Sequence, residues 1–187
     1  VPLVCYQHGT AIQKQEVPSI SADMNYYVPF IMASETGTLV CAADYIGLGF
    51  SDSFHHFYEP TEEANSVVDM LGSVQVLLNK TYRPLRFNSD VFLMGYSQGG
   101  HATLAAQRKL ETKYPNQFHV KASAPMASWF ALEKSNQLNI LKDSVSFSFS
   151  GAYAFLINSL QTTQQMYPSY ASVFVRPYDS LTNVLFD

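Results

Sequence analysis

Charged residues are scarce in this sequence of 187 residues, since Asp, Glu, Lys and Arg together make up 14% of it. The formal net charge is −4 and no basic cluster occurs, which argues against nucleic acid as a partner. Long apolar runs are absent as well. Because a membrane-spanning helix needs about 18 or more consecutive apolar residues, we expect no transmembrane segment.

Cysteine is nearly absent: the sequence has two, Cys5 and Cys41, each inside an apolar run typical of a strand. A disulfide between two neighbouring strands is geometrically awkward, so we expect two buried free thiols. Apolar residues, by contrast, make up 47% of the chain, enough for one domain with a sizeable core. The low charge, with many Tyr, Ser, Asn and Gln residues, favours a protein that is secreted, periplasmic or on the cell surface.

The most informative pattern is G-x-S-x-G at residues 95–99. It directly follows the apolar run 91–94, which is typical of a buried strand, and it precedes residues 102–110, which have the composition of a helix. A strand, a tight turn and a helix in this order are the context of a nucleophile elbow. We therefore predict that Ser97 is a nucleophile.

The residues around Ser97 have predicted supporting roles. Gly95 and Gly99 lack a Cβ, which such a tight turn requires, and we group Tyr96 with them as a site-supporting residue. The backbone N–H of Gln98 lies at the start of the following helix, where the helix dipole favours an anion. We expect this N–H to stabilise an oxyanion.

A second oxyanion donor is predicted after the first strand, where Gln7 is followed by His8, Gly9 and Thr10. In folds with this elbow, an H-G pair after an early strand precedes the residue that completes the oxyanion hole. We therefore expect the Thr10 N–H to be the second donor. His8 could serve as a catalytic base, but we favour a role for its ring in bracing this loop beside Gly9.

Asp44 follows the apolar run 38–43 and begins the loop 44–51. As the acid of a catalytic triad it would lie on the wrong side of Ser97 for the chain order Ser, Asp, His. We interpret Asp44 as a loop organiser that accepts backbone N–H bonds, and Gly47 and Gly49 as residues that permit the sharp path.

Residues 53–63 include His55, His56 and Glu63 but lack the clean i, i+4 histidine spacing of a helical metal site. We favour a polar loop that leads into a helix capped by Thr61, with acidic residues in its first turn. No metal and no cofactor is expected.

Four strand-like segments alternate with three helical ones up to residue 127, which predicts an α/β fold with a parallel, doubly wound sheet. The strand of Cys5 should lie between that of Cys41 and the elbow strand. From residue 128 the alternation stops, and the sequence becomes rich in Phe, Tyr and Leu. We predict a core of residues 1–127 and a helical cap or lid over 128–187, with helices near 151–165 and 178–186. An ordinary peripheral helical layer is the alternative, and residues 145–149 are left undecided.

Together, residues 7–9, the loop 44–51 and residues 95–100 resemble the α/β-hydrolase superfamily. The D-Y-x-G-L-G-x-S loop and a helical insertion after the elbow region are similar to the secretory, lipase A-like branch found in fungi and bacteria. The resemblance implies a lipase or esterase, a serine hydrolase that degrades an ester or lipid substrate through an acyl-enzyme on Ser97.

The resemblance also implies that the acid and histidine of the triad follow the cap. After Ser97 the sequence holds the histidines His101 and His119, and neither is expected to activate the serine. Asp143, Asp179 and Asp187 fall in the predicted cap. We therefore expect the chain to be part of a longer hydrolase whose remainder is required. The alternatives are a non-catalytic module of this fold that binds an apolar ligand or a partner, and a serine peptidase or acyltransferase.

Overall fold

A computed structural model of the chain describes residues 2–21, 24–80, 87–130 and 150–185. Strands and helices alternate strictly in the first part of the described chain, as the sequence predicts. The elements there are β1 (Leu3–Gln7), α1 (Met24–Thr36), β2 (Leu39–Ala42), α2 (Pro60–Lys80), β3 (Asp90–Tyr96), α3 (Gln98–Lys113) and β4 (His119–Met126). A helix α4 (Ser150–Gln164), a short 3-10 turn (Tyr170–Ser172) and a helix α5 (Tyr178–Leu185) follow.

The four strands form one parallel sheet in the order β2-β1-β3-β4. Cys5 of β1 pairs with Cys41 on one side and with Leu93 on the other, which confirms the predicted place of the first strand. Both cysteines carry free thiols, as predicted, but only Cys5 is buried. Cys41 is half-buried, because β2 is the outer strand in this order, so its predicted burial is wrong. From β1 the chain crosses to β2 on one side and then continues to β3 and β4 on the other. The gap between the carboxyl ends of β1 and β3 is therefore a topological switch point, where open α/β sheets bind ligands.

The main core lies between the sheet and helices α2 and α3. Strand residues such as Leu3 and Leu93 pack there against Leu71 of α2 and Leu110 of α3, and all four side chains are buried. Because strands and helices contribute to one continuous apolar cluster, the sheet and the helix that follows Ser97 are held rigidly relative to each other.

Helix α2 begins two residues earlier than a Thr61 cap predicts, so that prediction is wrong. The helix starts at Pro60, and the carboxylate of Glu59 accepts the backbone N–H of Glu62 at 2.8 Å. Proline is favoured at a first helical position, where its missing N–H costs nothing. The Glu59-Pro60 pair was therefore the better start signal.

Helix α4, in the predicted cap, packs on the loop that precedes α2. The ring of Phe155 stacks on Phe57 with centroids 4.6 Å apart and meets Phe54 edge-on at 6.2 Å. The residues left undecided at 145–149 lie outside the described residues, as do Asp143 and Asp187. The division at residue 128 stays a prediction. Among the described helices, none is long and apolar enough to cross a membrane.

Candidate active site

Ser97 occupies the single residue between β3 and α3, and its backbone is in the left-handed region with φ 57°. A residue other than glycine rarely adopts this conformation, which is stored as strain where the surrounding structure enforces it. Here the Ser97 N–H donates to the Met126 carbonyl at 2.9 Å, and the Ser97 carbonyl accepts the Gly100 N–H at 2.9 Å. Bonds on both sides of the residue therefore hold the turn that lifts Ser97 from the sheet.

The glycines of the elbow are required by close contacts between backbone segments. A Cβ on Gly95 would collide with the Gly99 carbonyl oxygen, and a Cβ on Gly99 would collide with the Gln7 carbonyl oxygen. Gly100, which the sequence did not single out, has the same constraint, since its Cβ would lie 2.6 Å from the Met126 carbonyl oxygen. The elbow is thus packed directly on the ends of β1 and β4.

The geometry of the elbow directs the Gln98 N–H. In a planar trans peptide the carbonyl and the N–H point in opposite directions. Because the Ser97 carbonyl accepts a bond from within the first helical turn, the Gln98 N–H of the same peptide points out of the helix N-terminus. The first N–H groups of a helix have no partner within it. This N–H therefore points away from the helix beside Ser97, and its role as an oxyanion donor stays a prediction.

Thr10 lies in the loop that leaves β1 at the same edge of the sheet. Gln7, the last residue of β1, is paired with Gly95 of the elbow strand, so residues 8–10 start next to the serine turn. Thr10 is half-buried. Its role as the second oxyanion donor stays a prediction.

His8 lies inside this loop and is fully buried. Its ring stacks on Tyr45 with centroids 4.2 Å apart, the Tyr45 hydroxyl donates to the His8 carbonyl at 2.9 Å, and Nδ1 of His8 lies 2.7 Å from the Gly9 carbonyl oxygen. These contacts favour the bracing role over that of a base. They also fix Gly9 and the start of the Thr10 loop.

Asp44 connects two loops. Its carboxylate accepts the Ser19 backbone N–H at 3.4 Å and the Ser19 hydroxyl. A Cβ on Gly49 would collide with the same carboxylate, so the loop 44–51 closes tightly over Asp44. Tyr96, immediately before the serine, has a side chain that is 58% exposed and lies on the surface beside the site.

A buried polar network under the elbow was missed in the sequence. The Gln98 side-chain Nε2 donates one hydrogen to Glu63 Oε1 and the other to His55 Nε2, both at 2.9 Å. The second carboxylate oxygen of Glu63 lies 2.6 Å from Nδ1 of His101. Glu63 is 0% exposed, and burial raises the pKa of its carboxyl group against the hydrogen bonds from His101 and Gln98.

The protonation of His55 is determined by its partners. Its Nδ1 lies 2.9 Å from the Ile46 carbonyl oxygen, which only accepts, so Nδ1 carries the hydrogen and Nε2 accepts from Gln98. Burial lowers the pKa of His55 from 6.5 to about 4. The prediction of a polar loop that leads into a helix with acidic residues in its first turn agrees with the structure, but the burial of His55 and Glu63 was not predicted.

One sequence signal could have located Glu63. It lies in register with the apolar stripe of α2, four residues before Val67 and eight before Leu71, on the buried face of the helix. A carboxylate at such a position needs polar partners inside the protein. Those partners, Gln98 and His101, are 35 and 38 residues away in the sequence.

A group of stacked aromatic rings lies next to the elbow. Tyr58 is buried, its hydroxyl lies 3.0 Å from the Ser128 hydroxyl, and its ring stacks on Trp129 at 5.3 Å and contacts His101 at 4.7 Å. Trp129 in turn stacks on Tyr153 of α4 at 5.1 Å. These rings connect the elbow helix, through His101, to helix α4. Within the described ranges, no group of three His, Cys, Asp or Glu side chains is placed to bind a metal ion.

No protein-family model and no curated protein matches the sequence significantly. Among solved structures, a protein of Legionella pneumophila, provisionally described as a hydrolase, is 26% identical with a TM-score of 0.83. That match covers 100% of this chain and 49% of the other. The rice cell wall degrading esterase LipA from Xanthomonas oryzae, in a ligand-bound form, is 27% identical with a TM-score of 0.79, over 99% of this chain and 49% of that chain.

The chain therefore spans about half the length of these two structures. The TM-scores show that the fold of the chain, with its parallel sheet in the order β2-β1-β3-β4, is shared with these structures. The order of the strands, the strand, turn and helix at Ser97 and these structural neighbours together show that the chain has the α/β-hydrolase fold.

Proposed function

We propose that the chain contributes the nucleophile and the oxyanion hole of a serine carboxylic-ester hydrolase, a lipase or esterase. The observation that supports this most directly is the position of Ser97. It lies at the carboxyl end of a central parallel strand, with φ 57°, at the N-terminus of a 16-residue helix. A strained serine at this point of this fold is the arrangement of a nucleophile elbow.

The reaction is an acyl transfer in two halves. Ser97 Oγ attacks the ester carbonyl while a general base takes its proton, and the carbonyl oxygen becomes an anion that the N–H groups of Gln98 and Thr10 bind. The C–O bond to the alcohol then breaks, and the proton passes to the leaving alkoxide. Water repeats the attack on the acyl-enzyme and releases the acid and free Ser97.

The base and its acid partner are proposed to come from the remainder of a longer protein. The ring of His8 is buried against Tyr45. A catalytic histidine also binds a carboxylate through Nδ1, as His101 binds Glu63, but Glu63 precedes Ser97 in the chain, whereas the acid of this fold follows the serine. We therefore assign neither histidine as the base. The share of the neighbouring structures that the chain spans, 49%, supports the same conclusion.

The proposed substrate is an ester with an apolar acyl group, including lipid esters. The stacked rings of Tyr58, Trp129 and Tyr153 are apolar, and a surface of this kind stabilises an acyl chain by removing it from water. We also propose that the protein is exported from the cytoplasm, since one structural neighbour is described as a cell wall degrading esterase.

The test compares the full-length protein with its Ser97→Ala variant on p-nitrophenyl esters of increasing acyl length and on a peptide p-nitroanilide. Ester hydrolysis should fall by a factor on the order of 10⁴ or more in Ser97→Ala. The Ser73→Ala variant, which changes an exposed serine of α2, should retain full activity. Faster cleavage of the anilide than of any ester would indicate a peptidase. A folded protein without either activity would indicate a non-catalytic module.

A further inference from the structure

The Gln98 side chain is buried in the protein interior, although its residue starts a helix at the surface end of the sheet. Gln98 is 0% exposed, and both hydrogens of its amide nitrogen have acceptors, one on Glu63 and one on His55. A side chain that is bonded twice and packed on all sides has one rotamer. The backbone of Gln98, which follows the turn at Ser97, is thereby held in place by its own buried side chain.

Of the two acceptors, Glu63 is the one that the fold holds most firmly. It lies in the first turn of the 21-residue helix α2 and is fully buried, and its other oxygen is bonded to His101, which is one turn along α3 from Gln98. Glu63 thus bonds two residues of the elbow helix at once. The contact between α2 and α3 therefore sets the rotation of the first turn of α3.

We propose that Glu63 is a positioning residue of the active site: its buried carboxylate, by binding the Gln98 side chain and His101, fixes the direction of the Gln98 backbone N–H toward the oxyanion. The inference rests on the proposed function, since it assigns Glu63 a part in that reaction. Glu63 does not touch the substrate. Its effect reaches the reacting atoms only through Gln98.

The expected consequence is a loss confined to the transition state. The Gln98 N–H binds the carbonyl oxygen most strongly when it becomes an anion, so a misdirected N–H lowers kcat and leaves substrate binding nearly unchanged. A displacement of a catalytic group by about 1 Å can cost about 100-fold in rate. We expect Glu63→Gln, which keeps the side-chain volume, to lower kcat by about 10- to 100-fold.

The test uses the full-length protein and p-nitrophenyl esters, with kcat expressed per serine titrated by a fluorophosphonate, so that misfolded molecules are not counted. Glu63→Gln should lower kcat by the stated factor and change KM by less than about twofold. Glu62→Gln, the neighbouring and half-buried carboxylate that bonds Asn65, is the matched control and should behave like wild type. The inhibition constant of a trifluoromethyl ketone, which forms a tetrahedral adduct, should rise with the loss of kcat.

Gln98→Met removes the amide that Glu63 binds and supplies the second arm. It should reproduce the loss of kcat, and the loss in the double variant should be smaller than the sum of the two single losses, because both changes break the bond between Glu63 and Gln98. If Glu63→Gln does not fold, Gln98→Met alone decides the proposal. An unchanged kcat per titrated serine, or additive losses in the double variant, would overturn the role of Glu63. A wild-type protein that lacks ester hydrolysis would instead overturn the proposed function on which the role rests.

Discussion

The stability of the protein should depend on pH through His55. Burial lowers the pKa of this histidine to about 4 in the folded protein, against 6.5 for an ordinary histidine. Between these two values the unfolded chain binds a proton that the folded protein does not, so folding becomes more favourable as pH rises. The contribution of His55 is therefore complete above about pH 6.5 and is lost as the pH falls through 4.

The magnitude follows from the two pKa values. One pKa unit corresponds to about 1.4 kcal/mol, so lowering the pH from 7 to 4 should remove about 3 kcal/mol from the free energy of unfolding. Besides burial, a positive charge on His8 or His56 opposes the protonation of His55, whereas the hydrogen bond from its Nδ1 to the Ile46 carbonyl favours the protonated ring. The carboxyl group of Glu63, whose pKa is raised, acts in the opposite direction, because its stabilising effect is lost as pH rises.

The assay is urea unfolding of the full-length protein and of its His55→Gln variant at a series of pH values from 4 to 8. The Glu63 effect is largely common to both proteins, so the difference between their curves isolates His55. Between pH 7 and pH 4 the wild type should lose about 3 kcal/mol more than the variant. The His119→Gln control, which changes a half-exposed ring at the start of β4, should follow the wild type. Parallel curves for wild type and His55→Gln would refute the reasoning.

Three further changes test the packing of the elbow and of helix α4, each by urea unfolding of the full-length protein. Gly99→Ala should cost at least about 2 kcal/mol, because its Cβ meets the backbone oxygen of Gln7, which no side-chain movement can relieve. Gly72→Ala, in the interior of α2 with open space around its Cβ position, should instead gain about 0.5 to 1 kcal/mol, and a loss would contradict the packing of that helix face. Phe155→Ala should cost about 3 to 5 kcal/mol, since the ring is 2% exposed and stacks on Phe57; a cost below about 1 kcal/mol would show that α4 does not pack there.

The fold and the elbow could be predicted because their signals are local. The turn around Ser97 is encoded within five residues, and the order of the strands follows from strict alternation with helices and from the handedness of their connections. The parallel pairing of Cys5 with Cys41 and Leu93 is the consequence. Helix ends were less reliable, since the choice between Glu59 and Thr61 as the N-cap depends on which side chain reaches the first free N–H groups.

The polar network could not be predicted because its partners come from different parts of the chain. His55, Glu63 and His101 meet Gln98 only when the loop before α2 and the two helices have packed together. In the sequence, residues 53–63 have the composition of a polar loop that leads into a helix. Only the position of Glu63 on the apolar stripe of α2 indicates that its side chain is buried, and no local pattern indicates which groups satisfy a buried carboxylate.

The central claim, that Ser97 is the nucleophile, is tested most directly by covalent labelling. The full-length protein is treated with a fluorophosphonate, digested and mapped by mass spectrometry. We expect one adduct, on the peptide that contains Ser97, with ester hydrolysis lost in proportion to labelling. Heat-unfolded protein should not react, since the reactivity depends on the base and on the strained turn at φ 57°. An adduct on another serine, or the absence of any adduct in a sample that hydrolyses esters, would contradict the claim.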